Sequence, residues 1–240
     1  MKKECISSVW GVIGAMEEEL RELKAAACIT GTETIAGMEF CTGKIGSADV
    51  VLVKSGMGKV NAGICAQILI THFHVGRIIN TGVAGSLDAG IDIGDLVISQ
   101  DAVQHDFDVS PIGFRKGEIP YTGLIAFPAD EAMRRAAVLA VRETSPEAGV
   151  FEGRVCSGDQ FIASREQKER IVQEFGGLCC EMEGAAIAQV CVISGTPFVI
   201  IRAISDKADD SEEVSFAEFA ATAASRCAAA VKRIILNGCE

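Results

Sequence analysis

The chain contains 240 residues, the size of one large domain, and can bury a substantial core without disulfide or metal cross-links. Hydrophobic residues make up 49% of the sequence and charged residues 23%, which excludes an intrinsically disordered protein. The formal net charge of −11 argues against a nucleic-acid-binding protein, which needs a basic surface, and against binding to an anionic membrane.

Short apolar runs alternate with longer stretches of helical periodicity along the chain. The predicted strands are Val9–Gly14, Asp49–Lys54, Arg77–Asn80, Asp95–Ser99 and Pro197–Ile204. The predicted helices are one that begins at Met16, one that begins at Val60, and Ala129–Glu143, Gln167–Phe175, Met182–Ser194 and Ser215–Leu236. Continuously apolar strands indicate an α/β fold whose sheet is covered on both faces. Because no linker or repeat divides the sequence, we predict a single domain over residues 1–240.

Two glycine-rich segments, residues 55–59 and 81–85, follow predicted strands. Ligands of α/β proteins collect at the carboxyl ends of strands, so these segments are candidate binding loops. Neither matches the dinucleotide-binding or P-loop pattern, which weakens a nucleotide-phosphate interpretation. We interpret the glycines as positions where the backbone turns tightly and a ligand approaches closely.

Charged residues also follow several predicted strands. Glu17–Glu19 and the acidic pair in residues 181–183 stand at helix starts, where carboxylates are favoured, so a purely structural role is an alternative for each. Arg202 lies inside an apolar strand and needs a buried partner, and Asp206 follows the same strand. Together with Phe161, an aromatic residue in a turn, these groups indicate acid–base chemistry on a neutral, ring-bearing substrate.

The cysteines are scattered among small and apolar residues, and no C-x-x-C pair occurs. His72 and His74 alone cannot supply a zinc site, so we predict no metal and interpret the thiols as free and buried in a reducing cytosol. The amino terminus does not resemble a signal peptide, and no apolar run reaches the ~18 residues of a membrane helix. We therefore expect a cytoplasmic protein. The ten cysteines are Cys5, Cys28, Cys41, Cys65, Cys156, Cys179, Cys180, Cys191, Cys227 and Cys239.

Six motifs in this order resemble those of the 5′-methylthioadenosine/S-adenosylhomocysteine nucleosidase family, and they cover nearly the whole chain. The resemblance implies a three-layer α/β/α sandwich with a mixed, partly barrel-like central sheet, as in the nucleoside phosphorylase superfamily, and a homodimer. It also implies a small nucleoside as the substrate and no metal or organic cofactor. The motifs are Ile13–Glu19, Lys54–Lys59, Asn80–Gly82, Ser157–Asp159, Glu181–Glu183 and Arg202–Asp206.

The same resemblance implies hydrolysis of an N-glycosidic bond, with release of adenine and a 5-thioribose. Asp206 is then the general acid that protonates adenine N7, with Ser205 orienting it. Glu19 positions and deprotonates the attacking water, and Arg202 orders the water site. A division of labour between two carboxyl groups is also found in glycosidases.

The resemblance further assigns the substrate contacts. Glu183 holds the ribose hydroxyls, Met182 packs under the sugar, Phe161 stacks on adenine, and the backbone of Ile162 binds the adenine edge. The implied substrate-binding set is Met16, Met57, Val83, Gly85, Phe161, Ile162, Glu181, Met182, Glu183, Arg202, Ser205 and Phe216, joined by Ile112 and Pro120 of the partner subunit.

Two positions depart from the family pattern. Val83 stands where many members have a serine near the nucleophilic water, which removes one hydroxyl from the water site. Ile112 stands where an aromatic residue is common, so the pocket for the thio substituent has a different shape.

Three other functions remain as alternatives. A phosphorylase needs several cations around its phosphate, whereas the strand ends offer mainly Arg202, with Lys54 and Lys59 less well placed. A nucleoside-binding sensor does not need the acid–base pair of Glu19 and Asp206. A structural protein leaves the polar strand ends unexplained.

Overall fold

The computed structural model describes residues 8–208 and 212–239, and for residues 212–218 the backbone alone. Ten strands form one sheet: β1 (Trp10–Gly14), β2 (Cys28–Ile35), β3 (Met38–Ile45), β4 (Ala48–Lys54), β5 (Arg77–Ser86), β6 (Leu96–Gln104), β7 (Ala126–Pro128), β8 (Val150–Ser157), β9 (Cys179–Glu181) and β10 (Phe198–Asp206). The helices are α1 (Glu17–Ala26), α2 (Lys59–Thr71), α3 (Glu131–Thr144), α4 (Arg165–Phe175), α5 (Gly184–Ser194) and α6 (Glu212–Asn237).

Five strands close into a ring. In the order β10–β6–β8–β9–β5 each strand pairs with the next, and β5 pairs again with β10. Three pairs of the ring are parallel (β6–β8, β8–β9 and β5–β10), and two are antiparallel (β6–β10 and β5–β9). The sheet then continues from β5 through β1, β4 and β3 to β2. The predicted mixed, partly barrel-like sheet is confirmed.

Helices cover the sheet on both sides, which confirms the three-layer sandwich. One core cluster packs α1, α3 and α6 against the sheet, with Leu20, Val141 and Val231 among its buried side chains. A second cluster packs α2 and α5 against the opposite face, with Leu69 and Ile187 at its centre. Helix α5 is apolar on nearly all sides because it is enclosed between the sheet and α2.

Strand β5 is longer than predicted. The sequence indicated that it breaks at residues 81–85, but the strand continues through this glycine-rich segment to Ser86. A Cβ atom on Gly82 would collide with Glu19 and Arg202, and one on Gly85 would lie 2.7 Å from Asp206 Oδ1. The glycines are therefore needed for the close approach of side chains to a continuous strand rather than for a turn.

The antiparallel strands β2 and β3 were not predicted, because β2 is mostly exposed and carries no apolar run. Of the nine cysteines in the described residues, seven are buried, as predicted, but Cys28 lies exposed on β2 and Cys239 is only partly buried, so the prediction of burial is wrong for Cys28 and only partly met by Cys239. Cys5 lies outside the described residues. Among the helices described, none is both long and apolar enough to span a membrane.

Candidate active site

A cleft lies at the carboxyl ends of β1, β4, β8, β9 and β10, against residues 83–85 of β5. Most of the side chains predicted to form the site meet here, although they come from distant parts of the chain. The cleft is lined by Ala15, Met16, Glu19, Met57, Val83, Ala84, Gly85, Gln160, Phe161, Ile162, Cys180, Glu181, Met182, Glu183, Ser205 and Asp206.

Glu19 lies in the first turn of α1 and is 2% exposed. Its Oε2 accepts hydrogen bonds from the amides of Ala15 (2.6 Å) and Met16 (2.9 Å), and its Oε1 accepts one from the amide of Val83 (3.2 Å). Burial raises the pKa of Glu19, while Arg202 and the three amides oppose that rise. The contacts that cap the start of the helix therefore also fix the carboxylate at the cleft wall.

Arg202 lies on β10, 1% exposed, directly behind the cleft. Its Nη2 contacts Glu181 Oε2 and donates a 2.6 Å hydrogen bond to Asn80 Oδ1. Glu183 Oε2 lies 3.7 Å from the same nitrogen. Burial alone would lower the pKa of Arg202, but the three neighbouring glutamates raise it, so the guanidinium is held as a buried cation.

Glu183 is 4% exposed and precedes the first residue of α5. Its Oε1 accepts a 2.8 Å hydrogen bond from the amide of Gly58, which ties the end of β9 to the loop before α2. Burial and then the charge of Glu181 raise the pKa of Glu183 to about 7, against the opposing effect of Arg202. Glu183 thus titrates in the neutral pH range.

Asp206 ends β10 and is 2% exposed. Its Oδ2 accepts a 2.8 Å hydrogen bond from the Ser205 hydroxyl, and its Oδ1 accepts a 3.0 Å hydrogen bond from the amide of Ala208. Ala208 has a φ of +50°, a left-handed backbone that places its amide under the carboxyl group. These contacts fix the orientation of the Asp206 carboxyl group in the cleft.

Apolar side chains form the rest of the cleft. Phe161 is half exposed at the mouth and Ile162 is buried beside it. Met57 is 63% exposed, which is unusual for a methionine that lines a cleft. Such a surface suits a flat ring and a thioether more than a charged ligand.

Three predicted residues do not line the cleft of this chain: Arg202, which lies behind it, Ile112 and Pro120. Ile112 lies 72% exposed in a 3₁₀ turn at Ser110–Ile112, and Pro120 follows it in the same long loop; both were expected from a partner subunit. The side chain of Phe216 lies outside the described residues.

Sequence reasoning missed several contributors to the site. Ala15, Ala84, Gln160 and Cys180 line the cleft, and Asn80 anchors Arg202 from β5 while donating a 3.1 Å hydrogen bond to the carbonyl of Ile13. Asn80 carried a usable signal, since a polar amide at the end of an apolar run needs a buried partner. The sequence contains no comparable signal that Ala15, Ala84 or Cys180 would line the site.

The cleft offers few cations. None of the lysine or arginine side chains in the described ranges lines it. Lys59 Nζ contacts Gln104 Oε1 (3.0 Å) and Asp106 Oδ1 (2.5 Å), and Lys54 Nζ lies 3.8 Å from Glu17. No group of three or more potential metal-ligating side chains occurs within residues 8–208 and 212–239.

Comparisons with known proteins agree with this geometry. The family model described as the phosphorylase superfamily matches residues 10–236. A relative named 5′-methylthioadenosine/S-adenosylhomocysteine nucleosidase, from Geobacillus kaustophilus, is 44% identical over 219 residues, which cover 90% of this chain and 92% of the relative.

Two solved structures have the same fold. The Neisseria meningitidis nucleosidase of that name, in complex with methylthio-immucillin-A, aligns with a TM-score of 0.93 at 37% identity and covers 97% of this chain and 100% of its own. The futalosine hydrolase of Helicobacter pylori aligns with a TM-score of 0.91 at 32% identity, covering 96% and 98%. The chain belongs to the phosphorylase superfamily and, within it, to the 5′-methylthioadenosine/S-adenosylhomocysteine nucleosidase family.

Proposed function

We propose that this enzyme hydrolyses the N-glycosidic bond of 5′-methylthioadenosine, S-adenosylhomocysteine and related 5′-substituted adenosines, releasing adenine and the 5-thioribose. One observation carries the proposal: a single apolar cleft is lined by two buried carboxyl groups, those of Asp206 and Glu19. This arrangement supports protonation of the leaving base and activation of water on the two sides of one bond.

Departure of adenine is the first difficulty of the reaction, because adenine leaves poorly as an anion. Asp206 donates its proton to N7, so the base departs neutral. The Ser205 hydroxyl and the Ala208 amide hold the carboxyl group in one orientation and stabilise the aspartate anion that results. The carbon–nitrogen bond then breaks with positive charge building on the sugar, which the carboxylates of Glu19 and Glu183 stabilise.

Water attack completes the reaction. Glu19 accepts one proton of a water molecule while the water oxygen bonds to the anomeric carbon. Glu19 and the Arg202 guanidinium both lie directly against Gly82, whose missing Cβ atom allows both charged groups to reach the strand beside the water site. Val83 supplies no hydroxyl, but its amide orients Glu19, so the backbone takes part in ordering the water site.

The sugar and the base occupy the apolar side of the cleft. Glu183 accepts hydrogen bonds from the ribose hydroxyls, and Met182 packs beneath the ring. Phe161 stacks on adenine, and the backbone of Ile162 binds its edge. Met16 and Met57 face the alkylthio group, a contact that suits two thioethers.

Adenine release from a panel of 5′-substituted adenosines tests this function. We expect turnover of methylthioadenosine and S-adenosylhomocysteine, and much slower turnover of adenosine, which lacks an apolar 5′ group. An adenine-bearing futalosine derivative belongs in the panel because a structural relative is named for that substrate. Binding of these nucleosides without any adenine release would instead indicate a sensor.

A homodimer is part of the proposal. Met57, Val60 and Ile64 form an exposed apolar strip from the cleft mouth along α2, with exposures of 63%, 72% and 42%, and Tyr121 is 96% exposed in the loop after Ile112. Exposed apolar side chains of this size indicate a contact surface. A fully active monomer in a mass measurement at assay concentration would contradict it. We also propose a cytoplasmic location, since the seven buried cysteines are not joined in disulfides.

A further inference from the structure

Glu181 lines the cleft, yet its carboxylate is fully engaged by the protein. Both oxygens accept hydrogen bonds from the Gly184 amide, at 3.0 and 2.8 Å, and Oε2 also accepts one from the Glu183 amide at 3.2 Å. The Ser157 hydroxyl donates to Oε1, and Arg202 contacts Oε2. All of these partners are donors, which suits an ionised carboxylate and leaves no lone pair aimed at a substrate hydroxyl.

These contacts determine which glutamate carboxylate the buried Arg202 guanidinium stabilises more strongly. The nitrogen of Arg202 that contacts Glu181 lies 3.7 Å from Glu183, beyond hydrogen-bond distance. Asn80 holds this nitrogen from its other side at 2.6 Å. Because Asn80 and Glu181 together fix the guanidinium, Glu183 receives only a longer-range share of its charge.

The charges around Glu183 do not balance. Helix α1 contributes Glu19, strand β9 contributes Glu181, and strand β10 contributes Arg202 and Asp206. The loop before α2 contributes only the Gly58 amide, since the Lys59 ammonium is bound to Gln104 and Asp106. Three carboxylates, those of Glu19, Glu181 and Glu183, therefore share one buried guanidinium.

We propose that Glu181 is a positioning residue that holds Arg202 and, by its own negative charge, keeps a proton on Glu183 in the empty site, and that this proton is released to solvent when the ribose hydroxyls bind. The proposal rests on the proposed role of Glu183 as the ribose ligand. The balance is simple: the carboxylic acid loses one proton to the buffer, and the resulting carboxylate accepts the two hydroxyl hydrogens.

Burial and the neighbouring charge act on Glu183 in the same direction. Desolvation is the larger cause that raises its pKa to about 7, and the charge of Glu181 is the next. A site that is protonated when empty avoids a second uncompensated buried anion. When substrate is bound, the ionised form faces the sugar that develops positive charge.

Carbon NMR of protein labelled at the glutamate carboxyl carbons tests the proposal without any need for turnover. In the free wild-type enzyme we expect one glutamate carboxyl carbon to titrate with a midpoint near pH 7. The signal is expected to be absent in Glu183→Gln. In Glu181→Gln its midpoint is expected to fall by about one pH unit, the usual effect of removing one nearby like charge.

Two controls separate charge from packing. Ser157→Ala removes a hydrogen bond to Glu181 but no charge, and we expect it to leave the midpoint nearly unchanged. A neutral nucleoside that the enzyme cannot cleave, such as the methylthio derivative of tubercidin, is expected to lower the midpoint in the wild type, because bound hydroxyls favour the carboxylate.

Several results would overturn the proposal. They are the absence of a near-neutral glutamate in the wild type, its persistence in Glu183→Gln, an unchanged midpoint in Glu181→Gln, an equal fall in Ser157→Ala, and an unchanged midpoint with the nucleoside bound. If Glu181→Gln fails to fold, the wild-type and Glu183→Gln titrations still decide where the proton lies. Failure of the proposed reaction would instead appear as a lack of adenine release, with these titrations unaffected.

Discussion

Two regions of the molecule use the same kind of ion pair with opposite consequences. On the outer strands β2–β4, Lys44 and Asp49 lie 2.6 Å apart with about half of each side chain exposed, at 50% and 51%. In the cleft, Arg202 contacts Glu181 with exposures of 1% and 3%. The exposed pair is screened by water, whereas the buried pair is not.

The difference shows where electrostatic free energy is concentrated in this protein. Burying Arg202 with three glutamates costs solvation that the contacts only partly recover, so the cleft is expected to contribute little to stability or to oppose it. The same burial fixes the charged groups in place for the reaction. The outer pair can be removed with little effect on either property.

The largest expected effect is that of Asp206→Asn. The variant keeps the shape of the side chain but has no proton to donate, so we expect the rate of adenine release to fall ~10²–10⁴-fold. Asp49→Asn is the matched control, since it makes the same change on the outer strands and should leave the rate unchanged. Retention of more than roughly a tenth of the wild-type rate in Asp206→Asn would remove the general-acid role.

Glu19→Gln is expected to lower turnover about 100-fold or more, because an amide cannot accept the proton of the attacking water. Glu18→Gln, one residue earlier and exposed on the same helix, serves as the control. Steady-state rates of adenine release, with folding checked by circular dichroism, provide the measurement. Near wild-type activity in Glu19→Gln would place the general base elsewhere.

Gly82→Ala tests the close approach that places the two charged groups at the strand. The added Cβ would overlap both Arg202 and Glu19, so we expect a loss of activity together with a loss of about 1–3 kcal/mol in the free energy of unfolding. Gly63→Ala is the matched control, because the nearest atom to its added Cβ lies 3.9 Å away and the position is helical. There, urea titration should show a small gain in stability.

Glu183→Gln tests how much the buried charge of Glu183 changes the stability of the protein, because this effect depends on pH. The pKa of Glu183 is raised to about 7 in the folded protein, so the native state binds this proton more tightly than the unfolded chain does. This preference favours the folded state at low pH and is lost as the pH rises toward 7. The glutamine of the variant does not ionise, so the variant does not lose this stability as the pH rises. We expect its free energy of unfolding to exceed that of the wild type by about 1–3 kcal/mol at about pH 8.

At about pH 5 the two proteins should differ much less in stability, because the wild-type carboxyl group is then protonated in the folded state. Urea unfolding at the two pH values measures the difference. A gain in stability that is the same at both values would show that packing, and not the charge of Glu183, causes it.

The smallest expected effect is at the outer pair. Lys44→Ala breaks the 2.6 Å contact with Asp49, yet we expect the free energy of unfolding to change by at most ~0.5 kcal/mol and the rate of adenine release not to change. Thermal or urea unfolding checks this. A loss of several kcal/mol would show that the outer strands depend on their ion pairs after all.

Much of this architecture could be predicted from the sequence, because the apolar runs that become buried strands are long and uninterrupted. Arg202 and Asp206 stood out since charges at the end of such a run need a partner or a function. The strand character of residues 81–85 could not be predicted: glycine signals either a turn or a close approach, and only the position of Glu19 and Arg202 distinguishes the two.

The different roles of the two glutamates in residues 181–183 could not be predicted from the sequence either. Glu181 and Glu183 are two residues apart and chemically identical, and both line the cleft, but Glu181 is bound by Ser157 and Arg202 whereas Glu183 accepts a hydrogen bond from the Gly58 amide. Strand β2 was not predicted because it is mostly exposed and polar, and its partner β3 mixes buried residues with polar ones and has no continuous apolar run. Local sequence carries no information about such long-range partners.

The identity of the sugar product tests most directly whether the carboxylate-lined cleft uses water as its acceptor. A phosphate dianion would have to bind next to the buried Glu19 in a cleft that no described lysine or arginine side chain lines. The reaction is run with methylthioadenosine in the presence and absence of phosphate, and the sugar is identified by mass. We expect free 5-methylthioribose at the same rate in both; a sugar 1-phosphate, formed only when phosphate is present, would contradict the account.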